Sequence, residues 1–416
     1  MTLASRAAEQ VLEQCAVLAT MSSMANGICR VYLSEEHRRA NTQVSQWMQE
    51  AGMTTHIDAV GNVRGRYAAS FEDAPVLLIG SHLDSIPDAG AYDGILGVLL
   101  GISAVAELNA KAQRLPFAVE IIGFGEEEGV RFGTTLMTSR ALAGTWDTSW
   151  WSLVDDTGVS LKEAFSAFDL DPEAVPGAAM TAADVLGYVE VHIEQGPVLE
   201  AEDLPLGVVT AIAGAKRLRI RIEGAAGHAG TTPMELRRDA LVAAARAVAR
   251  AETIAQRFGV VATVGQLGCE PGGVNVIPGA AEFSLDIRSG DDAQRDAALE
   301  VFIADTQTDC KQRGLEIEIE HTHAAAAAPC AAHLQDVLES ALIDFELEPK
   351  KLPSGAGHDA MAIAELCDVA MLFVRSPGGI SHNPAESVIM EDVALAHQTL
   401  VAFLHKLAQR HSSNAN

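Results

Sequence analysis

The sequence predicts an α/β protein in which a mostly parallel sheet flanked by helices is interrupted by an inserted α+β domain of ferredoxin-like order. Three observations carry that expectation. The runs VLLIG (76–80) and FAVEIIGFG (117–125) read as strands buried on both faces, and the apolar stretch 94–108 between them reads as a buried helix. Strand, helix and strand in that order form a βαβ unit, whose strands lie parallel. By contrast RLRIRIE (217–223) and LEIEIE (315–320) alternate strictly, the period of strands with one wet face. Helical and buried-strand patterns then resume beyond His321.

Taken in order, Ser34 followed by EEHRRANTQVSQWMQEAG reads as a capped helix stopped at Gly52, with Val44, Met48 and Ala51 as its apolar stripe. Short strand-like pieces follow at 54–58 and 62–67, then the βαβ unit, then a strand-like VEVHIEQG around His192. The texture changes after Leu204-Pro205. A strand at 217–223, a helix at 235–250, strands at 260–265 and 281–288, a helix at 291–313 and a strand at 315–320 give β-α-β-β-α-β. Segments 333–345 (helix), 369–374 (strand) and 390–410 (helix) close the chain, and the SSNAN end is expected to fray. The expected division is 1–209 with 326–416 as one domain and 210–325 as the insert.

Composition narrows the function. Lys and Arg total 29 against 56 Asp and Glu, a formal net charge of −27. So acidic a surface repels nucleic acid and anionic lipid. Six scattered cysteines with no CxxC pair read as reduced thiols. MTLASRAAEQVLEQC shows no secretory pattern, and the longest apolar run (94–106) falls short of the ~20 residues that span a bilayer. A soluble, cytoplasmic protein with no nucleic-acid or membrane partner is expected.

The chemistry gathers at strand ends, where open α/β sheets bind ligands. His82 and Asp84 (GSHLDS) follow the first buried strand, and Asp93 precedes the buried helix. Glu126-Glu127-Glu128-Gly129 ends the second buried strand, His192 lies in VEVHIEQG, and His382 follows the strand at 369–374. Each is unremarkable alone: an HxD pair is commonly a surface turn, and a Glu run is commonly solvated. Three imidazoles with several carboxylates at buried strand ends point to a divalent-metal site, because buried charge is costly unless paired or on a metal. Mixed N/O ligation suits zinc, with manganese, cobalt or nickel also possible. There is no GxSxG elbow, P-loop or Rossmann fingerprint.

The segments GSHLDS, GAYDGILG, EEEGVRF, EVHIEQGPVLE, GHAGTTPM, GGVNVIPG, LDIRS, SGAGHDA and GGISHNPAES together resemble the M20 metallopeptidase superfamily. The resemblance runs from about residue 39 to 405. Within that superfamily they resemble the branch that hydrolyses ureido groups: allantoate amidohydrolase, N-carbamoyl-L-amino-acid hydrolase and β-ureidopropionase. The resemblance implies two metal ions per subunit, zinc or manganese, with His82 and His192 on one, Glu128 and His382 on the other, and Asp93 bridging. It implies that Asp84 orients His82 and that Glu127 is the general base. In the insert, it implies that His228 stabilises the oxyanion from across a homodimer. Asn275, Arg288 and Gly357 would bind the substrate. The insert would be the lid and dimerisation domain.

Imidazole at His192 favours the ureido branch over dipeptidases and aminoacylases, which carry a carboxylate there. A catalytically silent scaffold is a further alternative, against which every ligand position is filled. The wording LPSGAGHDAMAIA…MLFVRSPGGISHNPAE favours allantoate as substrate, giving ureidoglycine, ammonia and CO2. Ala215, where many relatives of this branch carry Gln, removes one polar contact and counts against allantoate, with an N-carbamoyl-L-amino acid as the alternative.

Overall fold

Both apolar runs fold as strands whose side chains are buried throughout. In this computed structural model, which describes residues 3–414, the first stretch of chain forms β1 (Thr54–Ile57), β2 (Val63–Tyr67), β3 (Val76–His82), β4 (Ala118–Phe124), β5 (Val185–Ile193) and β6 (Leu206–Ile212). Then come β7 (Gly214–Glu223), β8 (Gly227–His228), β9 (Val261–Thr263), β10 (Leu267–Glu270), β11 (Val276–Ile277), β12 (Ala280–Ser289), β13 (Glu316–Ala325) and β14 (Ala328–Pro329). β15 (Lys351–Ser354) and β16 (Val369–Val374) follow. The chain divides into two compact units, Met1–Thr210 with Cys330–Asn416, and Ala211–Pro329.

In the first unit the strands run in the order β1-β2-β4-β3-β5-β16-β6, with β15 also on β6. The central block β4-β3-β5-β16 is parallel, whereas β1-β2, β2-β4 and β16-β6 are antiparallel. The sheet is therefore mixed, which corrects the expectation of a mostly parallel one. At the β1–β2 edge the cause is local. Asp58 accepts from the backbone N–H groups of Val60 and Asn62 and closes a tight turn, and a tight turn joins only antiparallel neighbours.

The helix Ile95–Ala110 is buried nearly all round, so it has almost no polar face. Its small residues let it press onto the sheet: a Cβ at Gly97 would lie 2.0 Å from the Val191 carbonyl oxygen. The helices Leu3–Ala19, Ala332–Ile343 and Met390–Asn414 complete the same core around Leu77, Ile79, Ile121, Val191 and Leu372. Each fully buried aliphatic side chain of this kind contributes roughly 1.5–3 kcal/mol. The final helix runs through Asn414, so residues 412–414 of the expected frayed end are helical, and the remainder lies outside the described residues. Ser34 caps the helix Glu35–Glu50 by accepting from His37 N–H, and Val44 and Met48 face its core.

In the second unit the strand order is β10-β12-β7-β13, with β9 on β12, and the pairings are antiparallel. Leu218, Ile220 and Ile222 of β7 and Phe283, Leu285 and Ile287 of β12 point to one face and pack with the helices Ala240–Phe258 and Asp292–Gln312. The intervening arginines face the other way, where Arg217 pairs with Asp286 and Arg219 with Glu320. The first of these helices begins at Ala240 rather than 235. Asp239 caps it, and a short 3-10 turn, Met234–Leu236, takes up the preceding residues. Among the described residues no helix is long and apolar enough to cross a membrane.

Candidate metal centre

Because β3, β4, β5 and β16 are parallel, their carboxyl ends share one edge of the sheet. His82 is the last residue of β3, the Glu126–Glu128 run follows β4, His192 is the penultimate residue of β5, and His382 stands eight residues beyond β16. Asp93 sits just before the helix Ile95–Ala110, with Gly94 at a φ of 71°. A Cβ at Gly94 would lie 2.4 Å from the His82 ring, so only glycine lets the helix start this close to that imidazole.

The carboxylate of Asp93 stands between two groups of donors. Its Oδ1 lies 3.1 Å from His192 Nε2 and 3.6 Å from His82 Nε2. Its Oδ2 lies 3.4 Å from His382 Nε2, which is itself 3.5 Å from Glu128 Oε1. His82, Asp93 and His192 form one ligand-like group and Asp93, Glu128 and His382 another. Asp93 Oδ1 and His192 Nε2 are buried and take part in no hydrogen bond, although they face each other. Orphaned polar atoms are rare in folded proteins and cost about 1–3 kcal/mol each, and a cation between them relieves both. Three imidazole nitrogens with carboxylate oxygens make a donor set that fits zinc or manganese.

Asp84 holds the cluster together from behind. Its Oδ1 accepts from the Glu127 N–H at 3.0 Å and its Oδ2 from the Glu128 N–H at 3.1 Å. Oδ1 also lies 3.5 Å from His82 Nδ1, and that nitrogen is 3.1 Å from the Asp84 carbonyl oxygen. One side chain thus fixes both the turn bearing the two glutamates and the first imidazole. His192 is oriented by its own Nδ1, 2.9 Å from the Ile193 carbonyl. Gly357 lies beside the glutamates, where a Cβ would be 3.6 Å from Glu127 Oε1.

Crowding sets the electrostatics. Burial pushes the Glu127 carboxyl well above the usual range, with His82 opposing and Glu128 adding to the rise. Burial pushes Glu128 up to about 8, again against His82, while Asp93 and Asp84 add to it. Burial would raise Asp93 as well, but the imidazoles of His192 and His82 outweigh it and hold Asp93 well below its ordinary value. His82 and His192 are correspondingly raised, their carboxylate neighbours overcoming burial.

Of the residues expected in the insert, His228 and Asn275 come together: β8 pairs with β11, and the Ala229 N–H donates to the Asn275 carbonyl at 2.9 Å. Arg288 is engaged by Asp286, with Nε 2.7 Å from Oδ1 and Nη2 3.1 Å from Oδ2, and it stands opposite Ala215 across the β12–β7 pair. Sequence reasoning missed several polar residues around the cluster. Gln195 Nε2 and Ser381 Oγ donate to Asp93 Oδ2 at 2.8 and 2.7 Å. Glu190, fully buried, accepts from Ser81, Tyr188 and the Ala360 N–H. The period of two along β5 puts Glu190 on the same face as His192, a signal the sequence did carry. His358 packs edge-on to His192 with ring centroids 4.4 Å apart, and burial holds it well below its ordinary value.

Histidines and carboxylates gathered at the parallel edge of a mixed sheet make a candidate divalent-metal site of the kind metal-dependent enzymes use. The chain belongs to peptidase family M20/M25/M40, whose profile matches residues 78–406, and it is a hydrolase. It is 41% identical over 384 residues to an N-carbamoyl-L-amino acid amidohydrolase from Geobacillus stearothermophilus, covering 92% of this chain and 94% of that one. It is 39% identical over 423 residues to allantoate deiminase 1 from Glycine max, covering 94% and 88%. A solved amidase of the hydantoinase/carbamoylase family from Burkholderia multivorans superposes with a TM-score of 0.89 at 30% identity, covering 95% and 97%.

Proposed function

We propose that this chain is a metal-dependent amidohydrolase of the cytoplasm that cleaves the ureido C–N bond of a small carboxylate, with allantoate as its substrate and ureidoglycine, ammonia and CO2 as products. The observation that carries the reading is the position of Asp93 between the pair His82/His192 and the pair Glu128/His382, with Glu127 alongside. His82, Asp93, Glu128, His192 and His382 would hold two divalent ions, zinc or manganese, with cobalt or nickel as substitutes. Bound there, such ions supply Lewis acidity to polarise the ureido carbonyl and acidify a water. Glu127 takes the proton of the attacking water and delivers it to the leaving nitrogen. Asp84 keeps Glu127 and His82 in register through the contacts described above. The second unit serves as lid and dimerisation surface. There His228 stabilises the oxyanion from the partner subunit, while Asn275 and Arg288, together with Gly357, receive the substrate, Arg288 by the two-pronged contact a guanidinium allows.

One observation favours a second reading, an N-carbamoyl-L-amino acid as substrate. Ala215, opposite Arg288, offers no polar contact where a second ureido group would need one. The test is a panel of allantoate, N-carbamoyl-methionine, N-carbamoyl-β-alanine and a dipeptide, each with and without added Mn2+ or Zn2+. Ammonia release from allantoate is the expected result. Cleavage of N-carbamoyl-methionine alone selects the second reading, and cleavage of the dipeptide alone overturns both.

A further inference from the structure

The two halves of the ligand cluster are built from different material. His82 and His192 stand on buried strands of the central sheet, and Asp93 leads into a buried helix. His382 stands on a loop with its side chain 48% exposed, in a left-handed conformation (φ 55°) that non-glycine residues rarely adopt. Something must hold that loop against Asp93.

We propose that Glu386 is the positioning residue that clips the His382 loop to the Asp93 segment, and so sets the affinity of the second cation position more than that of the first. The proposal rests on the metal reading given above. Glu386 is buried, and its Oε1 accepts from the backbone N–H groups of Tyr92 (2.9 Å) and Asp93 (3.1 Å). Its Oε2 lies 3.2 Å from the Ser381 hydroxyl, which donates to Asp93 Oδ2 at 2.7 Å. The Glu386 N–H closes a turn onto the Asn383 carbonyl at 3.0 Å, which ties residues 383–386 together just beyond His382. A single carboxylate therefore spans two segments some 290 residues apart in sequence, one bearing His382 and the other bearing Asp93. The chain passes close over it: a Cβ at Gly90 would lie 2.2 Å from the Glu386 carboxylate, so residue 90 has room for this contact only as glycine. His82 and His192 make none of these contacts. Their position is given by β3 and β5 and does not depend on the clip.

Polar partners of this kind typically change metal affinity by about 10–100-fold when removed. The test is calorimetric titration of metal-free protein with Zn2+, with thermal unfolding of each metal-free variant as the control for folding. Wild type is expected to take up two ions. Glu386→Ala is expected to weaken the second by about 10–100-fold and the first, which keeps His82 and His192 on their strands, by less. Glu386→Gln, whose amide oxygen still accepts from both backbone N–H groups, is expected to recover most of the loss, which a general loss of folding stability would not do. Gly90→Ala, which displaces the carboxylate while keeping it chemically intact, is expected to match Glu386→Ala, and it carries the test if that variant does not fold. Two unchanged ions in Glu386→Ala, or an equal loss of both, overturns the clip and leaves the metal reading standing. Wild type that takes up no zinc overturns the metal reading and the clip with it.

Discussion

Glu127 and Glu128 are neighbours in sequence, yet the structure gives them different surroundings. Glu128 faces His382, whereas Glu127 lies beside Gly357 and within 4.8 Å of a His82 ring nitrogen. Glu127→Gln keeps the shape and the Asp84 contact, which is made by backbone. Bound metal should therefore be retained while turnover falls by about 10²–10⁴-fold, the usual contribution of general acid–base catalysis. Metal content and kcat measured on the same sample check this, and a variant that keeps its activity removes Glu127 from the role of base. A second residue-scale effect lies away from the site. His37 is fully buried, accepts from the Leu33 N–H through Nδ1, and burial lowers it from 6.5 to about 4. The unfolded chain binds this proton below pH 6.5 and the folded chain does not, so stability is full above pH 6.5 and is lost as pH falls towards 4. The loss amounts to about 3 kcal/mol. Melting curves of wild type and His37→Gln should diverge across that window and run parallel above it. The candidate ligands were legible because imidazoles and carboxylates at strand ends need an explanation. Gln195, Ser381 and Glu386 were not, because their partners lie up to 294 residues away and the motifs that contain them do not say what they touch.

The elements that matter most are the parallel strands β3, β4 and β5 and the helix that packs on them. Continuous apolar sequence marks a strand buried on both faces, so β3 and β4 could be read directly, and strict alternation marked β7 and β13. The helix Leu3–Ala19 escaped notice. Its buried positions Ala4, Ala8, Val11, Cys15 and Leu18 follow helical spacing, but alanine and cysteine give weak contrast against their neighbours. The antiparallel edges also escaped, since strand direction depends on how the chain returns and a six-residue apolar run does not record its direction. Packing at Gly97 offers a test on this scale. Gly97→Ala forces a Cβ against the Val191 carbonyl, which as backbone in a central strand cannot yield. Overpacking of this kind costs about 1–3 kcal/mol, and the displaced helix carries Asp93 with it. Urea unfolding should show the lost stability and zinc titration a weakening of both positions, because Asp93 is shared between them. A change in neither contradicts the close approach of helix and sheet.

For the molecule as a whole, the carboxyl edge of the parallel strands concentrates Asp84, Asp93, Glu127, Glu128 and Glu190 in a chain whose net charge is already −27. Cations held there, as proposed, would oppose that repulsion only in the folded state, because the candidate ligands come from segments that unfolding separates. Chelation should therefore lower the melting temperature and excess Zn2+ or Mn2+ restore it, by about 4 kcal/mol at a thousandfold excess over Kd. A melting temperature indifferent to chelator contradicts a folded-state metal site. The sequence by itself determined which stretches are buried strands, that the protein is acidic, which family it joins and which side chains are candidates for chemistry, since periodicity and residue type are local properties. Only the tertiary structure decided that Asp93 stands between two groups of donors, that Asp84 braces Glu127 and Glu128 through their backbone, and that Glu386 ties the His382 loop to residue 93. Those relations are distances between remote segments, and packing fixes them, not composition or spacing.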